Sequence, residues 1–412
     1  MAEDLDADAG SQQKRKRFGR TELTLFGLIF ALSVGEGGAR FLSPVYLADN
    51  GSAVGSIGLA LSVFGASALA ARFLIGSTFR ASSVRLTIAI SALASTASLY
   101  LITFTSSITA FTLLIGVHGV GWGVLATVLL TLIMSGKDTR SAAAVIGFYV
   151  GIEGLGRTGS PILAGILGGA FGPSTGMRIH TTLFAVTAIV GISLLSDAPT
   201  PAVAEPGSQP TTRRRFDLTR FRHVPLAAWV AALTGFYLNT TNALLNTFFP
   251  LLGLTLGFSL GQIGTLAGSR SAVSALIRFV AHRAFDRIPF AVQFIPLYLL
   301  NAITASLIGV VTIYPAQFFL FMPNGASRGV LRVGSMAQAM EDSDEGKASA
   351  TAALIGAGYD VGRIVGPLVG GLVATAVGLS TMFVALPLIF VVVILPMALW
   401  ARRGPRLAPD GE

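Results

Sequence analysis

Long apolar stretches separated by short polar or Gly- and Pro-containing turns run from residue 22 to residue 401. A helix needs about 20 apolar residues, rising about 1.5 Å each, to cross the hydrocarbon core of a bilayer. Twelve stretches meet that need: 22–47, 54–78, 84–105, 108–134, 141–169, 177–196, 225–250, 260–282, 288–312, 315–340, 348–376 and 380–401. The pattern predicts an all-α membrane protein with a polar tail over 1–20 and a six-helix unit over 21–196. A polar, Pro-rich linker over 197–223, a second six-helix unit over 224–402 and a tail over 403–412 follow. The first apolar stretch is longer than the core of a secretory signal and shows no small-residue cleavage site, so it is expected to remain as the first helix.

Composition supports this reading. Hydrophobic residues make up 52% of the chain and charged residues only 12%, whereas a soluble domain carries about 25% charged residues. So little charge cannot cover a water-facing surface, and lipid is the expected neighbour of most of the exterior. The 48 glycines suit helices that pack closely in a bilayer. No cysteine is present, which excludes disulfides and thiolate metal sites.

The net charge of +9 is placed for a membrane and not for nucleic acid. Of the 29 Lys and Arg, 20 fall in the tails and the even-numbered connections, among them Lys14–Arg17, Arg80, Arg85, Arg213–Arg215 and Arg402. Only Arg178 lies near an odd-numbered connection. Basic residues concentrate on the cytoplasmic side of membrane proteins, so both termini and the linker are expected in the cytoplasm, with the chain in the plasma or inner membrane.

The second half repeats the first at an offset of 206 residues. Pro44 matches Pro250; Gly55, Ile57 and Gly58 match Gly261, Ile263 and Gly264; Arg72 matches Arg278; and Gly123-Val124-Leu125 matches Gly329-Val330-Leu331. Gly156-Arg157, Pro161, Gly165 and Gly172 match Gly362-Arg363, Pro367, Gly371 and Gly378. Paired six-helix repeats are an architecture of secondary transporters, which hold substrate near the midplane between the halves.

With these motifs in view, residues 20–403 resemble the major facilitator superfamily. That family marks the connection after its second helix with G-x-x-x-D-R-x-G-R-R. The second half keeps His282-x-x-x-Asp286-Arg287, while the first reads Gly76-x-x-x-Arg80, with arginine in place of the acid. The fifth helix, with Gly147, Gly156, Ser160-Pro161 and Ala164-Gly165, is similar to the family's antiporter motif. The eleventh carries Gly362-x3-Gly366-Pro367-x2-Gly370-Gly371, and Ile115 stands near the place of the fourth-helix arginine of drug–proton antiporters. The resemblance implies the fold of two six-helix bundles about a pseudo-two-fold axis, and it suggests export. It also implies a gating set of Arg72, Arg80, Arg278, Asp286 and Arg287. The Gly-Pro motifs equally fit close helix packing with a kink, whatever the direction of transport.

Ionisable groups inside a membrane are costly, so each is a functional candidate. Three intramembrane acids have an arginine one helical turn away: Glu36 with Arg40, Glu153 with Arg157, and Asp360 with Arg363. They read either as neutralising pairs or as proton sites. Glu153 and Asp360, near mid-helix, are the expected proton-coupling acids, with Arg157 and Arg363 as partners.

Arg270, Arg328 and Arg332 have no acid at helical spacing. An unpaired guanidinium suits a carboxylate or phosphate through its planar fork. For Arg328 and Arg332 the alternative is an interhelical pair with Asp360 or Glu153, or cytoplasmic snorkelling by Arg332. The repeat aligns Glu36 and Arg40 with Asn242 and Asn246, and His118 and Trp122 with Asn324 and Arg328. The resemblance implies that the first, fourth, seventh and tenth helices line a central cavity. The expected substrate site is therefore Glu36, Arg40, His118, Trp122, Asn242, Asn246, Asn324, Arg328 and Arg332, although interhelical hydrogen bonding would also account for such residues.

No G-x-x-x-x-G-K-[ST] loop and no H-E-x-x-H occur, so neither an ATP-driven pump nor a zinc enzyme is indicated. The expectation is a monomeric, cofactor-free, proton-coupled secondary transporter of a small anionic or amphipathic organic solute, working as an exporter. An importer of a small organic anion is the alternative, followed by a membrane receptor or an intramembrane enzyme. Membrane lipid and protons are the other expected partners, and anionic headgroups could meet the basic linker.

Overall fold

A computed structural model describes residues 20–78, 84–134, 139–195, 224–285, 290–341, 343 and 348–402. All regular structure among them is helical: α1 (Arg20–Asp49), α2 (Val54–Thr78), α3 (Val84–Ile102), α4 (Ile108–Met134), α5 (Thr139–Phe171) and α6 (Pro173–Leu195). The second half has α7 (Leu226–Thr255), α8 (Leu260–Phe285), α9 (Phe290–Ile308), α10 (Tyr314–Glu341), α11 (Ala348–Val377) and α12 (Leu379–Arg402). A helix satisfies its own backbone donors and acceptors, which hydrocarbon cannot do.

Each expected span has its helix, and the shifted ends have local causes. Pro173 opens α6 ahead of the expected start; a proline fits the first helical position because the donor it lacks would be unpaired there. Pro250 lies inside α7 without ending it, and the helix runs on to Thr255. Four glycines hold positive φ among the described residues: Gly51 at 78° and Gly257 at 81° after α1 and α7, and Gly172 at 84° and Gly378 at 85° after α5 and α11. Both pairs stand at the 206-residue offset. The backbone N–H of Ser52 returns to the Leu47 carbonyl at 3.0 Å and that of Phe258 to Gly253 at 2.9 Å, the same helix stop written twice.

Among the described residues, six helices (α1, α2, α3, α4, α6 and α11) are individually long and apolar enough to cross a membrane. Several of the others carry the polar side chains of the interior, such as Gln317, Asn324, Arg328 and Arg332 on α10, which lower their average hydropathy. Large apolar side chains such as Leu93, Leu113, Ile189 and Val392 face outward, as a lipid-facing surface requires.

Within the first half α1 packs on α5 and α6, and α4 on α2 and α3; in the second, α7 packs on α11, and α10 on α8 and α9. The halves meet along two seams, α2 with α11 and α5 with α8, which the offset makes the same contact seen from either side. In one seam a Cβ on Gly58 would overlap the carbonyl oxygen of Pro367. In the other, a Cβ on Gly264 would overlap that of Pro161. The helix backbones touch there because neither position carries a side chain. Ser62 ties the first seam with a hydrogen bond to the Ile364 carbonyl at 2.9 Å.

Candidate functional site

Between the halves lies a cavity of about 520 Å³. Its floor is formed by Phe41, Pro161, Thr247 and Pro367, next to the glycine seams. From there it extends past Met336 to Met340 and Ala352, at the end of the bundle where α1 starts and α12 finishes. The seams therefore close one end of the passage while the other end holds the cavity.

The lining is strongly cationic. Arg40, Arg72, Arg157, Arg278, Arg328, Arg332 and Arg363 face it, against the carboxylates of Glu153 and Asp360 alone among the described residues. Helical spacing explains three of the local arrangements. Arg157 reaches Glu153 at 2.7 Å, Arg363 reaches Asp360 at 2.9 Å, and Arg40 lies 3.4 Å from Glu36. A fourth contact joins the halves: Arg72 of α2 lies 3.4 Å from Asp360 of α11.

The nine expected substrate residues divide into two groups. Arg40, Asn242, Asn246, Arg328 and Arg332 line the cavity. Glu36, His118, Trp122 and Asn324 are buried behind it and are not among its lining residues. The members of each pair share an i,i+4 face, and neighbouring helices cover part of it. His118 stacks on Phe64 at 5.2 Å between ring centroids, and the Arg40 guanidinium lies 5.3 Å over the other part of that contact, the Phe64 ring. Trp122 packs against Phe184 at 6.2 Å, with the Arg157 guanidinium 6.0 Å over its ring. Neither Glu36 oxygen accepts a hydrogen bond, so its ion pair with Arg40 is its compensation.

Behind the second half's wall, Arg270 is buried at 3% exposure without a carboxylate among the described residues. Its Nε donates to Asn324 Oδ1 at 2.7 Å and its Nη1 to Asn242 Oδ1 at 2.9 Å. Asn324 Nδ2 donates onward to the Asn301 carbonyl at 2.9 Å, and Asn301 Nδ2 donates back to the Asn324 carbonyl at 3.0 Å. Arg270 thus positions two helices that border the cavity.

The alternative pairing of Arg328 or Arg332 with Asp360 or Glu153 does not form. Arg328 Nη2 approaches Asn239 Oδ1 at 3.5 Å, and the Arg332 guanidinium lies 4.8 Å over the Tyr359 ring. Asn239 is held by its Nδ2, which donates to the Tyr359 carbonyl at 2.9 Å. Asn239 and Tyr359 line the cavity and were missed from sequence; the offset would have found Tyr359, which occupies the repeat position of Glu153. Of the expected gating residues, Arg72 and Arg278 line the cavity, while Arg80, Asp286 and Arg287 lie outside the described residues.

Solved structures share this architecture at low identity, which speaks to the fold alone. A bacterial homologue of the human lysosomal transporter Spinster, inward-facing and occupied, superposes with a TM-score of 0.76 at 12% identity, covering 93% of this chain and 96% of that one. Its inward-facing, unoccupied form gives 0.75 at 13% identity, covering 93% and 96%. The nucleoside transporter NupG gives 0.69 at 14% identity, covering 93% and 98%. No curated protein matches the sequence. The sequence profile of the Major Facilitator Superfamily matches residues 25–351 and again 232–412, which together span both halves. With twelve helices in two repeated bundles around a polar central cavity, the chain belongs to the major facilitator superfamily of membrane transporters.

Proposed function

We propose that this transporter carries a small organic anion by alternating access between its halves, with protons as the coupling ion. The observation that carries the reading is the cavity's excess of seven arginines over two carboxylates. A cationic, water-accessible wall attracts anions and repels cations, and guanidiniums pair with acidic groups through two parallel hydrogen bonds. The Phe41, Leu61 and Phe64 surface beside Arg40 offers an apolar rest for the organic part. The positive-inside distribution of charge supports a cytoplasmic placement of the termini. On that orientation the cavity faces the cytoplasm and the glycine seams close the outer side.

Glu153 and Asp360 are the proposed proton acceptors, because both border the cavity and both neutralise arginines there. Protonating either acid raises the positive charge at the site and frees a guanidinium. Proton and anion therefore strengthen each other's binding, and by linkage the effect is reciprocal. Such coupling supports symport, so import of an organic anion down a proton gradient is the preferred direction. Export rests on the α5 Gly-Pro motif, yet Pro161 and Gly165 pack in a seam that Pro367 and Gly371 repeat on α11.

The test is uptake into proteoliposomes of labelled monocarboxylates, dicarboxylates and organic phosphates. Symport predicts uptake stimulated by an acidic exterior and accompanied by proton entry. Uptake stimulated by an acidic interior would establish exchange and export instead. Flux indifferent to pH would remove protons from the mechanism, and flux of cations alone would refute the anion reading.

A further inference from the structure

The two halves share one pattern at the 206-residue offset and differ in charge. In the first half, Glu36 neutralises Arg40 and Glu153 neutralises Arg157. At the 206-residue offset those acids become Asn242 and Tyr359 in the second half. Over the same interval Phe64, Trp122 and Ala126 become Arg270, Arg328 and Arg332. In the other direction Gly154 becomes Asp360 and Arg40 becomes Asn246, so the second half carries one intramembrane carboxylate fewer and two arginines more. Arg278, which repeats Arg72, stands with Arg270, Arg328 and Arg332 in the second half.

These groups are clustered. Arg278, Arg328, Arg332 and Tyr359 line one cavity, the Arg332 guanidinium lies 4.8 Å over the Tyr359 ring, and Arg328 Nη2 approaches Asn239, which is hydrogen-bonded to the Tyr359 carbonyl. None of the four arginines has a carboxylate partner among the described ion pairs. Arg278 Nε, Arg328 Nε and the Tyr359 hydroxyl are shielded from solvent and have no hydrogen-bond partner. Guanidiniums held together without counter-charge, beside unused donors, form a receptor whose neutralisation awaits a ligand.

We propose that the wall formed by Arg278, Arg328, Arg332 and Tyr359 binds the dianionic head of a phosphomonoester, with Arg270 supplying charge from behind. The proposal rests on the organic-anion reading and names its chemistry. One carboxylate brings a single negative charge and two oxygens. A phosphomonoester brings a charge of about −1.5 to −2 near neutral pH and three terminal oxygens, which answers three guanidiniums and a phenol. The apolar Phe41, Leu61 and Phe64 surface lies on the opposite half, where the esterified group would rest.

Three ligands of one shape separate the possibilities: phenyl phosphate, phenyl sulfate and benzoate, measured by calorimetry on the purified, detergent-solubilised protein. The expected result at about pH 8 is phenyl phosphate binding at least about tenfold tighter than the two monoanions. That preference should collapse towards about pH 5.5, below the second phosphate ionisation near pH ~6. Phenyl sulfate stays a monoanion throughout. It therefore corrects for titration of Glu36, Glu153 and Asp360 and for any change around Arg40, Arg72, Arg157 and Arg363, which face the same cavity from α1, α2, α5 and α11.

Arg328→Gln and Arg332→Gln should each reduce the preference at least about tenfold, and Tyr359→Phe should reduce it less. The pH comparison in the unaltered protein needs no variant to fold. Displacement of bound phenyl phosphate by lysophosphatidic acid would extend the head-group site to lipids, and no displacement would restrict it to soluble esters; either supports the proposal. Equal affinity for the three ligands, or a preference retained in both arginine variants, would overturn it while leaving the organic-anion reading intact. Failure of all three to bind would overturn that reading as well.

Discussion

Arg72 on α2 and Asp360 on α11 stand 3.4 Å apart across the two halves, although 288 residues separate them in the chain. Asp360 also holds Arg363 at 2.9 Å, so one carboxylate serves two arginines from opposite halves. Replacing it removes a link between the halves and leaves two guanidiniums uncompensated at the cavity wall. Each partner is between 20% and 32% exposed, so the stabilisation lost is about 1 kcal/mol or less. The larger expected consequence of D360N is functional: transport that no longer responds to an imposed pH gradient, with counterflow retained. A D360N protein whose uptake still follows the gradient would move the coupling role elsewhere, with Glu153 as the next candidate.

The glycine seams predict a conformational effect. G58V and G264V each place a branched side chain against a carbonyl oxygen of the opposite half, at Pro367 and Pro161. Overpacking of this kind costs about 1–3 kcal/mol. The cost falls only on the state in which the seams are closed, so both variants should shift the population towards the opposite state. The chain has no cysteine, so a single cysteine at Thr247, on the cavity floor, can report the shift by its labelling from either side of a sealed vesicle. Labelling identical to that of the unsubstituted background would show that the seams do not set the equilibrium.

The Glu36–Arg40 pair predicts an asymmetry. Glu36 is fully buried with no hydrogen bond to either oxygen, whereas Arg40 retains 26% side-chain exposure and the face of Phe64. R40M strands a buried carboxylate, at a cost of about 3–5 kcal/mol, because breaking a buried pair leaves an uncompensated charge. E36Q should cost about 1 kcal/mol, since Arg40 can turn to water in the cavity. The double variant should recover most of the R40M loss. Thermal unfolding in detergent through the full double-mutant cycle measures this, and additive effects would mean that the pair carries no coupling energy.

Arg270 predicts a structural cost without a direct ligand contact. Its fork holds Asn324 and Asn242 together. R270M leaves the Asn324 oxygen buried without a partner, worth about 1–3 kcal/mol. R270K should rescue little of this, because an ammonium cannot reproduce the two-pronged geometry. If R270K unfolds at the same temperature as the parent, charge alone and not the fork matters at this position.

The same-face pairs on α1, α5 and α11 were legible because i,i+3 and i,i+4 spacing brings side chains together in any helix, and all three form. The Arg72–Asp360 contact was not legible, since no local rule connects α2 with α11. His118 and Trp122 show the opposite limit. Spacing placed them on one face correctly, but whether that face meets water or Phe64 and Phe184 depends on how α4 is rotated against its neighbours. Arg270 read as an unpaired cation, and its use in organising Asn242 and Asn324 needed three helices in place.

Hydrophobic run length and charge placement determined twelve helices by themselves, because a bilayer imposes both on any chain that crosses it. The 206-residue offset determined that the helices form two equivalent halves, and glycine and proline at matched positions carried the turns and seams with it. The tertiary structure alone decided which polar groups face the shared cavity, which are sealed behind it, and which arginines lack a counter-charge. The physical reason is that burial and pairing belong to the space between helices. The sequence of one helix constrains its own face, but its neighbours determine what that face meets.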